Sequence, residues 1–138
     1  MNNECIFCKI ISGQIPCNKV YEDELVLAFL DIAPVSAGHT LIVPKAHHKN
    51  LEETPHDVAC KCIDIIKKLA PAIVSATGTE GFNVGLNNGR AAGQAVFHTH
   101  FHIIPRITND GLSAWPHTKY AAGEADKMQK LIVHALSE

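Results

Sequence analysis

The stretch that most constrains this chain is Phe97-His98-Thr99-His100-Phe101-His102-Ile103-Ile104. Read as a strand, its side chains alternate. His98, His100 and His102 share one face, while Phe97, Phe101 and Ile103 favour the other. Neighbours on one face of a strand stand roughly 6.5–7 Å apart, so the imidazoles can act together on one group. A strand of this kind belongs in a sheet with one face packed on a core.

The rest of the chain supplies partners for that strand. Cys5–Ile11 fits a short helical turn ended by Ser12-Gly13. Val20–Tyr21 and Leu25–Phe29 flank Glu22-Asp23-Glu24 and read as a hairpin. Thr40–Val43 is a short buried strand stopped by Pro44. Thr54 followed by Pro55 reads as a helix start, with the hydroxyl as cap and the proline in the first turn. Val58, Cys62, Ile65, Ile66, Leu69 and Ile73 then recur at helical spacing. Pro71 falls inside that pattern and predicts a kink, and Gly78 the end. Phe82–Leu86 and Val96–Ile104 are the last strands, separated by the glycine-bearing loop NNGRAAGQ. Met128, Leu131, Ile132 and Leu136 predict a short C-terminal helix. The prediction is an α+β fold, an antiparallel sheet with one main helix packed on it. With 138 residues and no repeat or linker, the chain reads as one domain, 1–138.

Composition narrows the partners. Twelve basic residues stand against 14 acidic ones, a net charge of −2, which advertises neither nucleic acid nor an anionic membrane. No apolar run approaches the ~18–20 residues of a membrane span. The opening MNNECIFCKI lacks the basic start and long apolar stretch of a signal peptide. Five cysteines, an odd number, argue against a closed disulfide framework and for a reducing, cytoplasmic setting, where Cys5-x-x-Cys8 suggests metal or redox chemistry.

The three aligned histidines admit three readings. They form a solvated face without function, or a His-x-His metal chelate, or a phosphoryl-transfer centre. In the last, a neutral imidazole attacks, a neighbour donates a proton to the leaving group, and the cluster neutralises phosphate oxygens.

The run HTHFHII resembles the signature of the histidine triad (HIT) superfamily, His-φ-His-φ-His-φ-φ with φ apolar; Thr99 is the one position off the pattern. CIFCKIISGQIP, AFLDIAPVSAGHTLIVPKAH and NNGRAAGQAVFH resemble other blocks of that family in order and spacing. The likeness is strongest to the nucleoside phosphoramidase (Hint-like) branch. It covers about residues 5–106, leaving an extension of about 107–138. It implies a sheet of about five mainly antiparallel strands with one long helix and short terminal helices, and a two-fold homodimer that joins the sheets.

The resemblance also implies roles. His100 would be the nucleophile that attacks the α-phosphorus of a purine nucleotide, with His98 and His102 assisting. Asp31 would bind the ribose diol. Phe7, Phe29 and Ile32 would wall the purine, although each is apolar enough to be plain core. Asn87, Gly93 and Gln94 would lie beside the phosphate, with an ordinary turn as the alternative for Gly93. Ala95 departs from the serine common in the phosphoramidase branch, so a hydroxyl near the leaving group is missing. Some members bind zinc with two cysteines and two histidines, and the matching positions here are Cys5, Cys8, His47 and His98; free thiols, or His48 in place of His47, are the alternatives. The activity implied is cleavage of a phosphoramidate or related nucleotide conjugate through a nucleotidyl-histidine, with no redox cofactor. A nucleotide- or zinc-binding regulatory module and a dinucleoside polyphosphate hydrolase are the rival readings.

Overall fold

A computed structural model describes residues 4–113 and 115–137. Strand alternation builds the molecule around a five-stranded antiparallel sheet. In β2 (Val26–Leu30), Val26 and Ala28 point to one side, Leu27 and Phe29 to the other, and all four are buried. The hairpin from β1 (Lys19–Glu22) into β2 is made by Asp23. Its Oδ1 accepts the backbone N–H of Leu25 at 2.9 Å and of Val26 at 2.8 Å, and Lys61 pairs with Oδ2 at 3.1 Å. Strand β3 (Thr40–Pro44) is buried along its whole length and lies at the centre of the sheet.

Helix α2 (His56–Thr77) crosses one face. Its stripe of Cys62, Ile65, Ile66, Leu69, Ala70 and Ile73 packs on Val26, Ala28, Ile42, Phe101 and Ile103 to form the main core. The predicted stripe held except at Val58, which is only half-buried, and Ala70 joins it. The helix runs on through Pro71, on its exposed side, and Gly78 ends it in the left-handed region at φ 64°. Thr79 N–H reaches back to the Val74 carbonyl, the closing bond expected at such an end. Pro55 is the N-cap, and Thr54 does not cap: its hydroxyl is used elsewhere.

Strands β4 (Gly81–Gly85) and β5 (Phe101–Arg106) complete the order β1-β2-β3-β5-β4. On the face away from α2, helix α1 (Ile6–Ile11) brings Phe7 onto Leu27, Phe29, Leu41 and Val43, a second, smaller core. Helix α3 (Glu124–Leu136) forms at the C-terminal end and buries none of its residues. Among the described residues no helix is long and apolar enough to cross a membrane.

Candidate active site

The strand carrying the histidines is shorter at its start than its alternation predicts. It begins at Phe101, so His98, Thr99 and His100 form the approach to it, and it continues past Ile104 to Arg106. The reason lies in Thr99. Its N–H donates to the His48 carbonyl at 2.7 Å, not to a sheet neighbour. Its hydroxyl is 2.8 Å from that of Thr54, which donates onward to the Asn50 carbonyl at 2.8 Å. Both threonines are buried, so the one polar residue in an otherwise apolar set of positions fills a hydrogen-bonded slot.

His100 is 6% exposed. Its Nδ1–H donates to the carbonyl of His98 at 2.7 Å, which fixes the tautomer and leaves the Nε2 lone pair free. Burial lowers its pKa, so the ring is neutral near pH 7 and able to attack an electrophile. The ring of Phe7 meets it edge-on at 5.0 Å between centroids, and His102 lies at the same separation on another side.

His102 is oriented by a residue the sequence reading missed. Register pairs Leu41 with His102, which puts His39, two residues before Leu41, diagonally across the same face. Val35 N–H donates to His39 Nδ1 at 3.1 Å, so the proton of the neutral ring sits on Nε2. That Nε2–H donates to His102 Nδ1 at 2.9 Å. The proton of His102 is thereby assigned to its Nε2, a buried atom without a hydrogen-bond partner among the described residues. Burial pushes the His102 pKa down to about 4, with its histidine neighbours adding to the effect, and burial lowers that of His39 too. His39 and His102 border a cleft of about 560 Å³ whose walls include Asn83, Asn87, Ile104 and Arg106. A neutral N–H donor close to a neutral imidazole, at the edge of a cleft, suits a substrate that gains negative charge as it reacts. The only trace of His39 in the sequence is a polar residue at the head of an apolar strand.

A second cluster lies on the other side of His98. Cys5 Sγ is 3.5 Å and Cys8 Sγ 3.6 Å from His98 Nδ1, Cys8 Sγ is 3.4 Å from His47 Nδ1, and the two Nδ1 atoms are 3.2 Å apart. Zinc held by nitrogen at about 2.05 Å and sulfur at about 2.3 Å makes a tetrahedron with edges of about 3.3 Å between nitrogens and about 3.5 Å between nitrogen and sulfur. The four donors fit it. His98 Nε2–H donates to the Pro44 carbonyl at 2.8 Å, which frees Nδ1 for an ion and supplies the outer bond expected of a ligand histidine. With an ion on Nδ1, His98 would have no ring nitrogen left for a substrate; what it gives His100 is its main-chain carbonyl. His47, not His48, completes the set.

The other expected residues are distributed unevenly. Asp31 follows β2, with Oδ1 accepting the Ala33 N–H at 2.9 Å and Oδ2 3.8 Å from His39 Nε2. Phe29 is buried beside Phe7, whereas Ile32 is 93% exposed. Asn87 Nδ2 lies 3.4 Å from the Gly93 carbonyl, and Gly93 adopts φ 85°, a conformation that favours glycine. Gln94 is buried and spent on the loop: Oε1 accepts the Gly89 N–H, while Nε2 donates to the Lys49 and Val96 carbonyls. Ala95 adds no polar side-chain atom.

This fold and histidine cluster match known proteins. The HIT domain family model matches residues 12–109, and the chain belongs to the HIT family. It is 52% identical over 114 residues to an adenylylsulfatase, HINT3, of Arabidopsis thaliana, a match that takes in 83% of this chain and 58% of that longer protein. It is 48% identical over 114 residues to adenosine 5'-monophosphoramidase hnt1 of Schizosaccharomyces pombe, covering 81% of this chain and 83% of the relative. Among solved structures, a Zn-bound histidine triad family protein from Mycobacterium smegmatis superposes with a TM-score of 0.77 at 35% identity, over 97% of this chain and 96% of the other.

Proposed function

We infer that this protein hydrolyses, or transfers the nucleotidyl group of, purine nucleoside monophosphate conjugates through a covalent bond to His100. The observation that carries the reading is the 2.7 Å bond from His100 Nδ1–H to the His98 carbonyl, which leaves Nε2 of a buried, neutral ring with its lone pair. That ring lies 5.0 Å between centroids from His102, whose Nε2–H has no partner among the described residues. The reaction runs in two displacements. His100 Nε2 forms a bond to the α-phosphorus as the bond to the leaving group breaks. The leaving atom keeps the electron pair, and an amine takes up a proton from solvent as it departs while sulfate leaves as the anion. Water then bonds to phosphorus and releases a proton to solvent, and the phosphorus–nitrogen bond returns its pair to Nε2. His102 Nε2–H gives a hydrogen bond to the oxygens that gather charge, and His39 keeps that ring in the donating tautomer.

The names of the two relatives share an adenosine monophosphate unit and differ in the leaving group, sulfate or amine. That supports a purine nucleotide and leaves the leaving group to what the cleft beside His102 admits. Asp31 suits the ribose diol, Ile32 offers an open apolar surface to a base, and the buried pair Phe7 and Phe29 is assigned to the inner wall. Asn87 and the Gly93 turn line the approach to phosphate, with Gln94 holding the loop. Cys5, Cys8, His47 and His98 are assigned to a structural zinc, on the strength of their tetrahedral spacing and of the Zn-bound neighbour. A homodimer formed along β4 is the assembly proposed, since Phe82 and Val84 on that edge strand are exposed.

Rapid quenching of turnover on adenosine phosphoramidate, followed by peptide mass spectrometry, tests the mechanism. The adenylyl mass is expected on the fragment holding His100, and His100→Gly should abolish it. An adduct elsewhere, or near-normal turnover by the variant, would overturn the reading.

A further inference from the structure

His98 touches two centres with different parts of itself. Its Nδ1 faces Cys5, Cys8 and His47, its Nε2–H is held by Pro44, and its carbonyl holds His100. Phe7 makes a second link, because it lies between Cys5 and Cys8 in sequence and its ring packs edge-on against His98 at 6.0 Å and His100 at 5.0 Å. Helix α1, which carries Phe7, has only six residues, too few to be stable alone. Backbone bonds such as Lys9 N–H to the Cys5 carbonyl and Ser12 N–H to the Cys8 carbonyl run within the segment. Side chains hold it to the sheet: Phe7 in the smaller core, and the two thiols beside the histidines.

We propose that the four-donor cluster is a positioning device for the nucleophile: Cys5, Cys8 and His47, closed with His98 around a zinc-type cation, hold the His98 main chain and the Phe7 ring so that His100 keeps its Nδ1–H tautomer. Phe7 is then a positioning residue, and metal content sets the fraction of molecules with a poised Nε2. The inference rests on His100 being the nucleophile, yet its direct readout is the protonation of a ring, which needs no turnover.

The experiment compares protein labelled with ¹⁵N-histidine and loaded with one equivalent of zinc against the same protein after extraction by a chelator. His100 ring signals are assigned by their loss in His100→Gln. The loaded protein should show protonated Nδ1 and bare Nε2, and the extracted protein an averaged mixture of both tautomers. An unchanged Nδ1–H tautomer after verified metal loss would overturn the proposal. Should extraction unfold the chain, Phe7→Leu decides: zinc retained, mixed tautomers, and kcat lowered about tenfold with KM little changed support it. The wild-type tautomer, or a raised KM with kcat intact, leaves Phe7 with the base wall alone and overturns its positioning role. An adenylyl adduct on another residue would refute the catalytic reading while leaving the tautomer result standing.

Discussion

His39 Nε2 and His102 Nδ1 face each other at 2.9 Å across the β3–β5 pairing, with the proton assigned to His39 by the Val35 N–H on its far nitrogen. That assignment makes the pair a hydrogen bond, not a chelate. Asp31 lies near enough to form a three-residue set with them, but binding an ion at His39 Nε2 would require the Nδ1–H tautomer and set two N–H donors against each other.

Replacing His39 with Gln should therefore release His102 to either tautomer. Turnover of adenosine phosphoramidate should fall about 10²-fold, the low end for loss of acid–base or donor function, with zinc content and fold unchanged. Steady-state kinetics beside elemental analysis checks this. Wild-type kcat would show that His102 needs no orienting partner.

Zinc should co-purify near one equivalent per chain, and its removal should lower the melting temperature. The ion would bind the folded arrangement of Cys5, Cys8, His47 and His98 far better than the scattered unfolded residues. Differential scanning calorimetry with and without a chelator makes the comparison. Equal melting temperatures at verified metal loss would remove the structural assignment.

Thr99→Val restores the apolar pattern of the motif while deleting the hydroxyl that meets Thr54 in a buried slot. A stability loss of roughly 1–2 kcal/mol is expected in urea unfolding, the scale of a buried hydrogen bond with one partner removed. A stabilised variant would show that apolar packing dominates there.

Stability should depend on acid through His102. Its pKa is lowered from 6.5 to about 4 in the fold, so below pH 6.5 the unfolded chain takes up the proton more readily. The contribution is fully present above pH 6.5 and is lost as pH falls towards 4, at most about 3 kcal/mol. Unfolding free energies measured across that window should slope less steeply for His102→Gln than for the wild type. Identical slopes would place the acid sensitivity in other groups.

Most elements were legible because their signals are local. The Glu22–Glu24 turn, the α2 stripe and the Gly78 stop depend on neighbours a few residues away, and each reappears in the structure. The errors fall where a distant partner overrules a local rule. Thr54 reads as a cap, but its hydroxyl is taken by Asn50 and Thr99. The strand through His98 reads as continuous, but Thr99 bonds to His48, and pairing starts only at Phe101.

By itself the sequence determined the candidate residues and the elements around them: three imidazoles at alternating positions, a Cys-x-x-Cys pair, a main helix and the strands beside it. Alternation and helical periodicity are properties of the backbone, so they can be read one segment at a time. Only the tertiary structure decided what each imidazole meets. His98 turns its ring to the thiols and its carbonyl to His100, while His102 takes its tautomer from His39, 63 residues away in sequence. An imidazole nitrogen is donor or acceptor according to the partner on the other nitrogen, and that partner is chosen by sheet register and packing between segments far apart in the chain.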